Sequence, residues 1–198
     1  MRRPFVFILA TLCSVPLAVL PAAAHARERL AHPNPAGGTT ARHVDAGIGP
    51  HGTTFAHGRR SVSDGTGQIS STRAGVFRGA EGASAAHASR LTREADGALT
   101  RDSRFAARSA RGSLDSQGSV SRAADGTLYG DRSTTAQGSA GGSYAGSTHY
   151  DQDSVSHSSA ATRDDGTRYT GTTAYSRGEG VSHSGGCSDP SGKPVACR

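Results

Sequence analysis

Polar and less polar residues alternate along much of the chain, most clearly near its C-terminal end. Between Thr167 and Tyr175, one set of alternate positions holds Thr167, Tyr169, Thr173 and Tyr175, and the other holds Arg168, Thr170, Thr172 and Ala174. Successive side chains of a β-strand point to opposite faces of its sheet. The pattern therefore predicts a strand with one moderately apolar face and one polar face.

Asp-Gly pairs recur along the chain and predict the turns between such strands. The pairs begin at Asp64, Asp96, Asp125 and Asp165. Asp-Gly between alternating segments is a strong signal for a β-hairpin. The pairs at Asp125 and Asp165 share the pattern Asp-Gly-Thr-x-Tyr, and this pattern resembles bacterial surface repeats that are built from β-hairpins. We interpret the region as a degenerate repeat of about 30–40 residues.

These signals predict an all-β chain, a thin antiparallel sheet of degenerate hairpin repeats over residues 61–186. Strands are expected above all in residues 120–186, which contain all the tyrosines. Residues 61–119 are left open between strands and disorder. Arginines at 101, 104, 108 and 111 also fit a short basic helix over residues 100–111, although the repeat favours a strand or disorder there.

Composition limits what such a sheet can bury. Hydrophobic residues make up 34% of the chain, there is no Trp, and Gly alone accounts for 27 positions. So few large apolar side chains cannot offset the entropy of ordering a thick two-layer core. The alternative is a largely disordered low-complexity chain. Residues 27–60, which are rich in Pro, Gly and His without an apolar period, are predicted to be a flexible linker.

The N-terminal residues have the pattern of a removable export signal. Met1 to Pro4 is positively charged, Phe5 to Leu20 is apolar, and a small-residue segment ends at Ala26. The apolar stretch is shorter than the roughly 20 residues of a membrane-spanning helix. We therefore expect a signal peptide over residues 1–26, with cleavage after Ala26 and Ala24 as the alternative site, and a secreted or periplasmic protein without a membrane span.

The cysteines fit export. Cys13 lies inside the predicted signal, so Cys187 and Cys197 remain as an even pair in an oxidising compartment. An Asp-Pro-Ser-Gly turn at Asp189 would bring the two side by side. The sequence predicts a structural disulfide that closes the C-terminal loop, residues 187–198.

Catalytic motifs are absent from the sequence, and a thin sheet offers little room for a pocket that tunes acid and base groups. No catalytic residue and no cofactor are expected, so we predict that the protein is not an enzyme.

Histidines offer weak candidates for a metal site. His32, His43, His51 and His57 lie in the predicted linker, where imidazoles could bind copper, zinc or nickel ions without fixed geometry. His149 and Asp151 begin a second, alternating tract that ends at His157. The simpler interpretations are a solvated linker and a polar strand face.

Charge adds a third possibility. The full chain carries +6 at neutral pH, and the segment 90–111 is rich in arginine. Three functions therefore remain open: an exported structural or surface protein of the cell envelope, a periplasmic copper- or zinc-binding protein, and a basic module for anionic polymers. The sequence leaves the partner open, with self-association or anionic envelope polymers as the candidates, and it disfavours sequence-specific nucleic-acid binding.

Overall fold

Thirteen strands form one open antiparallel sheet in which every strand pairs with its neighbours in chain order. The computed structural model describes residues 25–79 and 81–197. The strands are β1 His25–Pro33, β2 Thr39–Ile48, β3 Thr54–Ser63, β4 Ile69–Arg78, β5 Ser84–Arg93, β6 Leu99–Ser109, β7 Gly112–Arg122, β8 Leu128–Gly138, β9 Ser143–Tyr150, β10 Ser154–Thr162, β11 Arg168–Ser176, β12 Gly180–Ser188 and β13 Pro194–Val195. The prediction of a thin hairpin sheet is confirmed.

The sheet has no second layer. Among the described residues no hydrophobic side chain is buried, and the buried residues are Thr40, Ser71, Ser116 and two glycines, Gly75 and Gly130. The ladders between neighbouring strands and the cross-strand side-chain pairs therefore hold the sheet together, as expected for a strand array without a packed core. No helix in the described part of the chain is long and apolar enough to cross a membrane.

Most turns between strands share one geometry, which explains the Asp-Gly signal. In the turn from Ala123 to Thr127, the amide of Gly126 donates to the carbonyl of Ala123, and the amide of Ala123 donates to the carbonyl of Thr127. Gly126 has φ of 93°, a conformation that glycine adopts without steric cost. This is the three-residue hairpin loop in which a glycine follows a type I turn.

The repeating unit is shorter than the sequence suggested. Six glycines with positive φ stand 15 residues apart, at Gly37, Gly52, Gly67, Gly82, Gly97 and Gly112. One strand and one turn therefore form the unit, and the offset of 29 residues seen in the sequence spans two units. The turns at Asp125 and Asp165 lie at opposite ends of the strands, because three strands separate them. Their shared Asp-Gly-Thr-x-Tyr sequence therefore reflects the same type of turn, formed at opposite edges of the sheet.

Two segments for which the sequence did not clearly predict strands, residues 27–60 and 61–119, consist mostly of strands. Residues 61–119 run from the end of β3 into β7, and residues 100–111 lie mostly in β6, so the helix alternative is excluded. Residues 27–60, expected to be a flexible linker, lie mostly in β1, β2 and β3. The Asn34 side chain explains part of this difference, since its Oδ1 accepts hydrogen bonds from the amides of Ala36 and Gly38 and shapes the β1–β2 turn.

The two ends of the chain differ in what the structure describes. The predicted export signal lies outside the described residues except for His25 and Ala26, which begin β1. At the other end, Cys187 and Cys197 form a disulfide with a Cα–Cα separation of 5.3 Å, as predicted. The Asp189 turn between them is also present, with the amide of Gly192 donating to the carbonyl of Asp189.

Acid should weaken the turns before it affects the strands. The backbone amide of Thr127 donates to Asp125, and this hydrogen bond holds the pKa of the Asp125 carboxyl below its ordinary value. The Thr66 hydroxyl lowers the pKa of Asp64 in the same way, and the Ser191 hydroxyl lowers that of Asp189. A lowered native pKa stabilises the fold above the unfolded pKa of about 3.9, and this stabilisation is lost as pH falls through the native pKa.

We therefore expect amide protection of Thr127 to fall as the pH is lowered below about 4. Asp125→Asn keeps the accepting oxygen but cannot titrate, so its protection should change less over the same interval. Amide exchange corrected for intrinsic rates measures both proteins. The same pH dependence in the two proteins would contradict the role of the Asp125 carboxylate.

Candidate functional site

The two faces of the sheet carry very different charge. Strand pairing places every second residue of a strand on the same face, so the register assigns each side chain. One face, here called the arginine face, holds eight exposed arginines: Arg27, Arg29, Arg59, Arg73, Arg93, Arg101, Arg122 and Arg132. Asp45 is the one carboxylate that the described strands add to this face.

The opposite face is more nearly balanced. Its strands carry the arginines Arg42, Arg60, Arg78, Arg90, Arg104, Arg108 and Arg168, with the carboxylates Glu28, Asp102, Asp115 and Asp131. Two ion pairs form there, between Arg104 and Asp115 at 3.3 Å and between His149 and Asp131 at 2.9 Å. The segment 90–111 is thus divided between the two faces, and it is not one basic surface.

Four basic side chains lie directly opposite one another on the arginine face. Arg29 pairs with His43, His43 with Arg59, and Arg59 with Arg73, so the basic row crosses β1 to β4. Arg59 and Arg73 lie on neighbouring strands about 4.8 Å apart, and like charges placed opposite each other are destabilising. No carboxylate of the described residues forms an ion pair with these arginines. The basic row is therefore an electrostatically favourable place for an anion.

Aromatic rings share this face with the arginines. Of the eight aromatic residues in the described strands, seven lie here: Phe55, Phe77, Phe105, Tyr144, Tyr150, Tyr169 and Tyr175. Phe77, Phe105 and Tyr175 are 44%, 40% and 47% exposed, so their rings are open to a ligand. Flat rings on the same face as guanidinium groups offer stacking surfaces as well as charge.

Three polar residues converge at one point of the arginine face. His43 and Asp45 lie two residues apart on β2, and Asp45 pairs directly with His57 on β3. His57 Nε2 lies 3.8 Å from Asp45 Oδ2, and one ligand atom from each of the three residues lies within 4.8 Å of the others. The Nδ1 atom of His43 is buried and has no hydrogen-bond partner. Among the described residues, only this group has metal-binding spacing.

The structure thus brings together two of the six metal candidates and adds Asp45. His32 lies at the end of β1, where its pairing with Thr40 puts it on the opposite face. His51 lies in the β2–β3 turn with φ of 62°. Asp45 has the same His-x-Asp spacing as Asp151, and that signal was visible in the sequence. Asp45 becomes a candidate ligand only because β2 pairs with β3 and places it opposite His57. The prediction of a flexible linker over residues 27–60 did not allow for this pairing.

The alternating tract from His149 to His157 is not one strand. A two-residue turn, closed by reciprocal hydrogen bonds between Asp151 and Ser154, divides it into β9 and β10. His149 therefore lies on the opposite face beside Asp131, whereas His157 lies on the arginine face and bonds to Thr148 and Tyr144. The tract forms no shared metal site in this arrangement.

Comparison with known proteins gives no relative: no family model, no curated protein and no solved structure matches this chain.

Proposed function

We propose that this protein is an exported, non-catalytic surface protein of the cell envelope or matrix whose arginine face binds an anionic polymer. The observation that supports this most is the charge of that face, where the strands place eight exposed arginines and a single carboxylate. Guanidinium groups stay charged at every physiological pH and bind sulfate, phosphate and carboxylate groups through paired hydrogen bonds. The predicted signal peptide supports the exported location.

The shape of the sheet favours an extended ligand over a small one. Strands about ten residues long and about 4.8 Å apart make a surface roughly 30 Å by 60 Å. The arginines are spread over β1 to β8, so many weak contacts would share the binding free energy. An anionic polymer can meet such spaced charges along its length, whereas a small anion meets only one or two.

Charge also distinguishes a polyanion from a second copy of the chain. Stacking two arginine faces would bring sixteen arginines together with only two strand carboxylates between them. Removing unpaired charges from water in this way is strongly unfavourable. An anionic polymer instead compensates the arginine charge and releases its own counterions on binding.

The test compares two variants of equal net charge. In the first, Arg29, Arg73, Arg93 and Arg101 of the arginine face become Gln, and in the second, Arg42, Arg60, Arg78 and Arg108 of the opposite face become Gln. We expect the full chain to bind dextran sulfate and to ignore uncharged dextran. The first variant should lose most of its affinity, and its slope of log affinity against log salt should become shallower by roughly 3–4, since each contact contributes about 0.9. The second should change little.

Fluorescence anisotropy over a salt series measures these affinities. Equal losses in the two variants would show that total charge, and not the arginine face, determines binding. The absence of dextran sulfate binding by the full chain would contradict the proposal. If a single-stranded oligonucleotide binds more tightly than dextran sulfate at equal salt, the ligand of the arginine face is a nucleic acid and not an envelope polymer.

A further inference from the structure

We propose that His43, Asp45 and His57 form a binding site for a divalent transition-metal ion of the copper and zinc class. This site lies on the arginine face, but it is chemically separate from the proposed binding of an anionic polymer, since it holds a cation with imidazole and carboxylate donors. Of the histidines that the sequence offered as metal ligands, this site uses His43 and His57, and Asp45 is its third donor.

The donor set fits this class of metal. Two imidazoles and one carboxylate are common ligands of zinc, at distances of about 2.0–2.2 Å. The donor atoms lie within 4.8 Å of one another, and the His57–Asp45 pair is at 3.8 Å, so rotation of the exposed His57 side chain with small rotations of the half-buried His43 and Asp45 would bring them around one ion. Imidazole donors disfavour magnesium and calcium, which prefer oxygen ligands.

The buried nitrogen of His43 is a second and independent observation. A buried polar atom without a partner destabilises a fold, and such atoms are uncommon in native structures. Every other buried side-chain nitrogen or oxygen among the described residues has a partner, so His43 Nδ1 is the single exception. A metal ion that is bound by His43 through Nδ1 would give this nitrogen a partner.

The backbone holds the three residues in place without help from a core. His43 and Asp45 are alternate residues of β2, so they project from the same face, and the ladder sets Asp45 opposite His57 on β3. The His43 and His57 rings lie with centroids 6.3 Å apart, and the Phe55 ring stacks on His57 at 6.0 Å. These contacts limit the freedom of the His57 ring on an otherwise exposed side chain.

Neighbouring arginines would repel a cation, and the structure reduces this effect. Arg59 lies opposite His43, but its Nε donates to the hydroxyls of Ser61 and Ser71, at 3.3 Å and 3.1 Å. Those serines lie on the side of the basic row away from Asp45 and His57. Arg27 and Arg29 are exposed at the edge strand, where water and salt screen their charges. The Asp45 carboxylate supplies the local negative charge.

Three protein donors leave at least one coordination position open to solvent on the exposed side of the cluster. Divalent affinity for a site of this kind rises from nickel to copper and falls again at zinc. We therefore expect Cu²⁺ to bind more tightly than Zn²⁺, and Mg²⁺ to show no binding.

The experiment titrates the full chain, purified without a histidine tag, with Cu²⁺ and with Zn²⁺ by calorimetry. His57→Gln and Asp45→Asn should each weaken binding by at least about tenfold, the lower limit for changes even outside the ligand shell. The matched control is His149→Gln, which removes the histidine of the other close His–Asp pair, at 2.9 Å on the opposite face. Its affinity should match that of the unaltered chain.

A second readout is amide exchange, because a metal ion that joins β2 to β3 stabilises that hairpin in proportion to its occupancy. Zn²⁺ should raise protection in β2 and β3 and leave β9 and β10 unchanged. No binding, or equal losses in His57→Gln and His149→Gln, would overturn the site. Asp45→Asn separates the two proposals: it removes negative charge from the arginine face, so it should weaken metal binding while dextran sulfate binding is kept or strengthened.

Discussion

Replacing Gly112 by alanine should open the β6–β7 turn and remove amide protection from β6, β7 and β8, the middle of the sheet. Gly112 follows a two-residue loop and has φ of 143°, which a residue with a Cβ rarely adopts. A Cβ at this position would also overlap the carbonyl oxygen of Gln137 and lie 3.0 Å from the Cα of Gly138. We expect a loss of about 2–4 kcal/mol, from backbone strain and from displacement of the β7–β8 ladder.

Two other glycines separate these causes. Gly141 has φ of 98° with open space around it, so Gly141→Ala should show the strain alone, about 1–2 kcal/mol. Gly186 has an ordinary φ and open space, so Gly186→Ala should be nearly neutral. Thermal unfolding and amide exchange measure all three variants. If Gly112→Ala is no worse than Gly141→Ala, the close approach of Gln137 to Gly112 is incorrect.

Replacing Gly166 by valine should melt the β10–β11 hairpin more severely than Gly126→Val melts the β7–β8 hairpin. Both glycines have positive φ, 82° and 93°, and a β-branched residue is strained there by at least about 1–2 kcal/mol. Gly166 has an additional constraint, since a Cβ would lie 3.0 Å from Cγ of Pro190 in the next turn along that edge. Gly126 has nothing within 4 Å.

Amide exchange should report each change locally. Protection should fall around Tyr169 and Tyr175 in Gly166→Val, and around Tyr129 in Gly126→Val. Each strand hydrogen-bonds only to its neighbours in the sheet, and the two turns lie at opposite ends of the strands, so the double variant should show the sum of the single effects. A chain without ordered hairpins would show neither protection nor any response to the two changes.

Local patterns explain why the hairpins could be predicted from the sequence. Tyr169 and Tyr175 lie on one face of β11 and Arg168 on the other, as the alternation indicated, because strand periodicity depends only on the backbone of that strand. The positive φ of Gly126 and Gly166 also follows from turn chemistry. The 15-residue spacing of turn glycines is also present in the sequence. It was missed because only some of the turns contain Asp-Gly, so the spacing of the Asp-Gly pairs is longer and irregular.

The linker prediction failed for a different reason. Residues 27–60 contain few large apolar side chains, and an isolated hairpin with this composition would be marginal in water. In the sheet, however, β2 and β3 each pair along nearly their full length with two neighbours. Their order therefore depends on the array as a whole, and a sequence window that covers one strand cannot report it.

The sequence by itself determined the β class, the absence of a thick core, the glycine turns and the Cys187–Cys197 disulfide, since each depends on composition or on residues close in the chain. Only the tertiary structure decided which side chains share a face. When the loop between two strands has an odd number of residues, the odd-numbered positions of both strands lie on the same face. When the loop has an even number of residues, the odd-numbered positions of one strand lie on the same face as the even-numbered positions of the next. Even loops occur at Ala110–Arg111 and at Gln152–Asp153. A change of one residue in any turn would move whole strands of side chains to the other face, so the arginine face and the His43–Asp45–His57 cluster exist only through the register.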